Sequence, residues 1–179
     1  MKNNIRVAFC LFVLMFIAQC AAQKENSGAV TASLVSSKNF TFHAERAHPV
    51  SYDVLNVLNS LPNAPASRIM QISGQGYKII LTPQKAEVAL PYFGRAFTPP
   101  VGSRENSLRF TTKDFVLSET QGKRGKTIIT VKPKDYEVTD LIIEVFPNGK
   151  AFVSVKSNDR QPITFDGYIS PTATADQMP

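Results

Sequence analysis

The chain has 179 residues, 43% of them hydrophobic and 19% charged, with 12 Pro, 9 Gly, 2 Cys, no Trp and a formal charge of +6. That length suits one domain, and the apolar fraction is enough for a packed core, which excludes collagen-like and low-complexity disordered chains. Both cysteines, Cys10 and Cys20, lie in the first 20 residues, so a disulfide-stapled miniprotein is excluded and the rest of the chain works without a thiol.

Lys2 and Arg6 precede an apolar run from Val7 to Ala18, and the small residues Cys20-Ala21-Ala22 follow. This is the layout of a secretory signal peptide over residues 1–22, and as a helix the run spans about 18 Å, too short for a hydrocarbon core of about 30 Å. Cleavage after Ala22 predicts a periplasmic or secreted protein. The alternative is lipidation at Cys20, in Ile17-Ala18-Gln19-Cys20, which predicts a lipid anchor in the outer membrane; Gln19 argues against it, because Gly, Ala or Ser usually precedes a lipidated cysteine. Contact with a membrane is expected only if Cys20 carries lipid. Without Lys2 and Arg6, 18 of the 20 basic residues face all 14 acidic ones, a charge of +4. The single basic cluster, Lys123-Arg124-Gly125-Lys126, sits in an expected turn, so there is no stripe for nucleic acid.

Residues 23–37 are small and polar with weak periodicity and read as a flexible tether, as does the tail 171–179. Between them, residues 38–170 form a single β-rich domain in which the dominant period is two. Phe40, Phe42 and Ala44 share one face against Thr41, His43 and Glu45. The inward sets continue with Tyr77, Ile79 and Leu81; Ala86, Val88 and Leu90; Leu108 and Phe110; Phe115 and Leu117; Ile129 and Val131. They end with Leu141, Ile143 and Val145; Ala151, Val153 and Val155; and Ile163 and Phe165. One short helix is predicted over Ser51–Leu61, capped by Ser51 and stopped by Pro62.

Asn148-Gly149 between two alternating runs predicts a type I′ hairpin, and Gly74-Gln75-Gly76 and Gln121–Gly125 predict two more hairpin turns. With little room for crossover helices the strands pair antiparallel. The expected fold is all-β, an antiparallel meander closing into a lipocalin-like barrel or half-barrel, since closure removes exposed edges. Ile142, Phe146 and Phe152 put apolar groups on the opposite face as well, which the short helix or the loop around Tyr92 is expected to cover.

Candidates for chemistry are few. His43 and His48 are the only histidines and read as surface or structural groups, and with no thiol in the mature chain a zinc site of Cys and His lacks ligands. No serine lies in a nucleophile elbow. Asp166, in Thr164-Phe165-Asp166-Gly167-Tyr168, stands out among the acids because its neighbours are aromatic and Gly167 permits close approach by a backbone or ligand; a hydrogen-bonded structural role is the simpler reading. Neither catalytic residues nor a cofactor are assigned.

Leu90-Pro91-Tyr92-Phe93-Gly94-Arg95-Ala96-Phe97 is the most distinctive segment: Pro91 and Gly94 interrupt it, so its rings cannot all alternate into one core. Two readings follow. The aromatics plug the end of the barrel, or Tyr92, Phe93, Arg95 and Arg160 rim a mouth that binds a small apolar or amphipathic ligand. Taken with Asn148-Gly149-Lys150-Ala151, Ser157-Asn158-Asp159-Arg160 and Ile163–Ile169, this segment resembles the pattern of DUF4251, a family of small exported Bacteroidetes proteins with a domain of unknown function. The resemblance runs over residues 38–170 and implies a cell-envelope location and a β-rich, lipocalin-like fold. It implies no activity. The expectation is a non-enzymatic envelope protein that binds a small ligand; the alternative is a structural or inhibitory module binding a protein or glycan through an exposed sheet face, and an enzyme built on Asp166 comes third.

Overall fold

The structure, a computed structural model, describes residues 28–60, 66–97 and 107–172, apart from the side chains of a few of them. The signal segment, Cys20, Ala22, the first part of the expected tether and the end of the tail lie outside the described residues.

Nine strands form one antiparallel sheet: β1 (Phe40–Pro49), β2 (Lys78–Thr82), β3 (Lys85–Pro91), β4 (Ser107–Thr112), β5 (Phe115–Gln121), β6 (Thr127–Pro133), β7 (Val138–Val145), β8 (Lys150–Ser157) and β9 (Ile163–Ser170). The spatial order is β4-β3-β2-β1-β9-β8-β7-β6-β5. Each strand pairs with its sequence neighbours, and β1 pairs with β9, so the circuit is complete except between β4 and β5. The result is a nearly closed barrel, as expected for a meander that removes its edges.

The period-two pattern sorts the side chains as the sequence predicts. Phe40, Phe42, Ile79, Leu81, Ala86, Leu90, Ile129, Val131, Leu141, Ile143, Val153 and Phe165 are fully buried. Tyr77, Phe110, Phe115 and Leu117 pack against this core while half-buried. Phe40, Phe42 and Phe165 are the largest of these fully buried side chains, so among the described residues the inner face of the sheet is packed with the chain's own groups.

β1 breaks the alternation once. Its register with β9 runs from Ala44↔Gly167 to Arg46↔Asp166, leaving Glu45 unopposed in a β-bulge. Glu45 and Arg46 are both exposed, and Ala47 returns to the core. A strict alternation would have sent Arg46 inward, so the bulge is what lets the strand carry two polar residues in succession and stay in the sheet.

The tether expected over residues 23–37 is corrected over its described part. Residues 28–37 form a helix, α1, with Val35 and Thr31 buried and Leu34 packed on the core. Its C-terminus closes in a Schellman motif: Lys38 takes φ 51°, its N–H donates to Val35 O at 3.1 Å, and Asn39 N–H donates to Leu34 O at 3.3 Å. Lys38 Nζ then pairs with Glu119 of β5 at 2.8 Å. Docking onto the barrel, not intrinsic propensity, accounts for a helix in so polar a stretch.

The predicted short helix is α2 (Tyr52–Ser60); one more turn, α3 (Ala66–Ile69), follows it. The hairpin at Asn148-Gly149 forms, but not as type I′. Asn148 keeps a negative φ, Gly149 takes φ 81°, Gly149 N–H donates to Phe146 O at 3.0 Å and Phe146 N–H donates to Lys150 O at 2.9 Å. Pro147 supplies the fixed φ of a type I turn and Gly149 the left-handed residue after it, giving a three-residue loop. Gln121–Gly125 turns between β5 and β6 as expected, whereas Gly74-Gln75-Gly76 joins the helical segment to β2 and makes no hairpin.

Candidate functional site

The predicted rim lies at one end of the barrel. Tyr92 is 5% exposed and its hydroxyl lies 2.9 Å from Arg95 O and 3.1 Å from Gln161 O. The Arg160 guanidinium carbon sits 5.1 Å from the centre of the Tyr92 ring, a cation–π contact. Arg160 also donates from Nε and Nη2 to Asp159 Oδ2 at 2.9 and 2.7 Å, and Ser157 Oγ donates to Asp159 Oδ1. The hydrogen bonds from Arg160, with that of Ser157, hold the Asp159 carboxyl below its ordinary range against the opposing effect of burial. Burial pushes the Tyr92 phenol up.

Backbone bonds complete this arrangement: Phe97 N–H donates to Asp159 O at 2.7 Å and Gln161 N–H to Arg95 O at 3.0 Å. Gly94 is required here, since a Cβ on it would stand 2.4 Å from the Tyr92 hydroxyl. Phe93 is half-buried against the core and Arg95 is exposed. The structure thus brings Tyr92 and Arg160 together and leaves Arg95 outside the pair. Ile142, Phe146 and Phe152, on the opposite face, are half-buried. Replacing Tyr92 with Phe removes one part-buried donor from two carbonyls, and a loss of about 1 kcal/mol is expected in urea unfolding.

A broad concavity lies elsewhere, on the outer face of β1, β9, β8 and β7. Strand register aligns a row of side chains across it: Arg46, Asp166, Phe152, Glu144 and Ile128 are successive cross-strand partners. A groove of about 910 Å³ opens over this row, with Phe152, Phe146 and Pro147 as its apolar surface and Glu45, Arg46, Gln71, Glu144, Lys150 and Asp166 among its polar lining. Phe146 and Phe152 are half-buried, and Ile142 lies in the next row. The volume is within the usual range for ligand sites, about 300–1,000 Å³.

The polar groups are held in place. His48 Nε2 lies 2.7 Å from Asp166 Oδ2, Lys126 Nζ donates to Glu144 Oε2 at 2.6 Å, and Arg46 donates from Nε and Nη2 to Gln71 Oε1 at 3.2 and 3.1 Å. Asp166 therefore has the hydrogen-bonded role read from the sequence, and the close neighbour that Gly167 admits is the β1 backbone at His43. His43, beside this face, stacks on Tyr168 with ring centres 5.0 Å apart and shares a 2.8 Å hydrogen bond with Ser170 Oγ. Burial, reinforced by Lys78, lowers its pKa and favours the neutral ring. Among the described residues no group of three His, Cys, Asp or Glu side chains is placed to hold a metal, and no helix is long and apolar enough to cross a membrane.

Sequence reasoning singled out Asp166, Phe146 and Phe152 separately and did not join them. Arg46 was missed because its exposure depends on the bulge at Glu45, and Gln71 because its link to β1 spans a turn with no strand pattern. The bridge Arg46↔Gln71 is isolated.

The geometry defines a class: a nine-stranded, nearly closed antiparallel barrel with a packed core and a groove on its outer face. The chain belongs to the DUF4251 family, described as a domain of unknown function, which it matches over residues 22–169. Its fold is similar to that in the crystal structure of a DUF4251 family protein from Bacteroides eggerthii DSM 20697, with a TM-score of 0.52 and 13% sequence identity over 81% of this chain and 87% of that one. No curated protein sequence matches this chain.

Proposed function

We propose that this is an exported cell-envelope protein that works without catalysis, by holding an amphipathic partner in the groove on the outer face of its sheet. Export is supported by the basic and apolar N-terminal run, with release after Ala22 as the main route and a lipid anchor on Cys20 as the alternative. The observation that carries the binding reading is the outer row itself: Phe152 lies half-exposed between the fixed carboxylates of Asp166 and Glu144. Burial of an aromatic ring offers a ligand apolar contact, and side chains already held by neighbours lose little freedom when they bind.

The small-ligand reading thus moves from the rim to the sheet face, because Tyr92 and Arg160 are occupied with each other. A fluorescent amphipathic probe such as anilinonaphthalene sulfonate tests this. Binding by the folded protein should weaken about tenfold in Phe152→Ser and stay unchanged in Arg95→Ala. Dependence on Arg95 with indifference to Phe152 returns the site to the barrel rim, and no binding at all removes the proposal.

A further inference from the structure

Resting on the groove reading above, we infer that the occupant is a neutral oligosaccharide, bound with sugar rings over Phe152 and Phe146 and hydroxyls on the surrounding carboxylates and Arg46. Three features of the groove narrow the ligand to this class. Every strand beneath it is bonded on both sides: β1 with β9 and, beside the groove, with the 70–77 segment, β9 with β1 and β8, β8 with β9 and β7, and β7 with β8 and β6. No backbone edge is free, so a partner cannot be recognised by strand addition and must be read by side chains alone.

Charge is nearly balanced. Glu45, Glu144 and Asp166 stand against Arg46 and Lys150, and Glu144, Asp166 and Arg46 already have neighbours in Lys126, His48 and Gln71. A strongly ionic ligand gains little in such a groove, because each charge it offers meets one of either sign.

What remains suits hydroxyls. His48 and Lys126 each engage one carboxylate oxygen, leaving Oδ1 of Asp166 and Oε1 of Glu144 without a protein partner among the described residues. An ionised carboxylate is a strong acceptor for O–H donors, and the Arg46 guanidinium donates to ring and hydroxyl oxygens. A pyranose presents a flat C–H face to an aromatic ring and a rim of hydroxyls at its edge, which matches Phe152 lying between two carboxylates in one cross-strand row.

The test is a panel of immobilised neutral and acidic oligosaccharides, followed by titration calorimetry of any neutral binder against the wild type, Phe152→Ser, Asp166→Asn and Glu144→Gln. Neutral glycans should bind, with affinity lowered about tenfold by Phe152→Ser and several-fold by each carboxylate change. Circular dichroism and urea unfolding identify any variant that fails to fold, and the exposed Asp166→Asn keeps the side chain's shape. Failure of every neutral glycan at millimolar concentration, preference for acidic glycans, or binding indifferent to both Phe152 and Asp166 overturns the inference. If the fluorescent probe still binds in a Phe152-dependent way while no glycan does, the groove reading stands and the ligand class alone is wrong.

Discussion

Replacing Gly167 with alanine is expected to destabilise the protein by about 3 kcal/mol, the upper part of the usual range for overpacking. A Cβ at this position would lie 1.9 Å from the carbonyl oxygen of His43 and 2.9 Å from the Phe42 ring. The first obstacle is backbone, so no rotamer change relieves it. Relief requires β1 and β9 to separate where Ala44 opposes Gly167, next to the bulge that turns Glu45 and Arg46 outward. The melting temperature should fall by about 10 °C. Because the same displacement disturbs Arg46 and Asp166, binding in the groove should weaken as well. A melting temperature within a degree or two of wild type would show that the two strands separate easily, and that Gly167 is not what fixes the bulge.

Phe165→Ala should cost still more, about 3–5 kcal/mol, out of a total stability of about 5–15 kcal/mol for a domain of this kind. Phe165 is fully buried on β9, between Ala47 of β1 and Val153 of β8. Its strand neighbours are held by pairing on both sides, so the vacated space cannot close completely. Phe97→Ala is the control. That ring is 63% exposed, and its loss should change stability by less than about 0.5 kcal/mol. Equal effects of the two substitutions in urea unfolding would contradict a packed interior, and would reopen the idea of a hollow barrel.

Polar groups on the outer face pair with one another across strands and turns. Lys126–Glu144 and His48–Asp166 each join side chains of different strands or turns, at 2.6 and 2.7 Å. Both pairs are partly exposed, so each adds little to stability. Their larger effect is to hold two carboxylates at set positions on either side of Phe152.

How much of this is legible in the residues depends on the range over which each feature is decided. Most of each strand's inward set could be read directly, from Phe40 to Phe165, because successive side chains of a strand point to opposite faces; past the bulge in β1 that reading fails, and Ala47 is inward instead of Arg46. The place of the hairpin at Asn148-Gly149 was legible for the same local reason, though Pro147 and the negative φ of Asn148 changed its type. The contact at Tyr92 was half legible: Pro91 and Gly94 announce a break, but the partner Arg160 lies 68 positions later, and only folding brings it over the ring.

Three features needed the tertiary structure. The helix over residues 28–37 has weak periodicity of its own and exists because Leu34 and Val35 dock on the barrel. The bulge at Glu45 is a relation between β1 and β9, visible only in their register, where Ala44 opposes Gly167 and Arg46 opposes Asp166. The groove gathers residues from Glu45 to Gly167, four strands and a turn. The sequence by itself determined an antiparallel β domain, its buried faces and its family, since these rest on local alternation and motif. How the interior would pack, and which outer residues would come together, was decided by long-range packing: Phe40, Phe42 and Phe165 are buried inside, and one extra residue in β1 turned Arg46 outward beside Asp166.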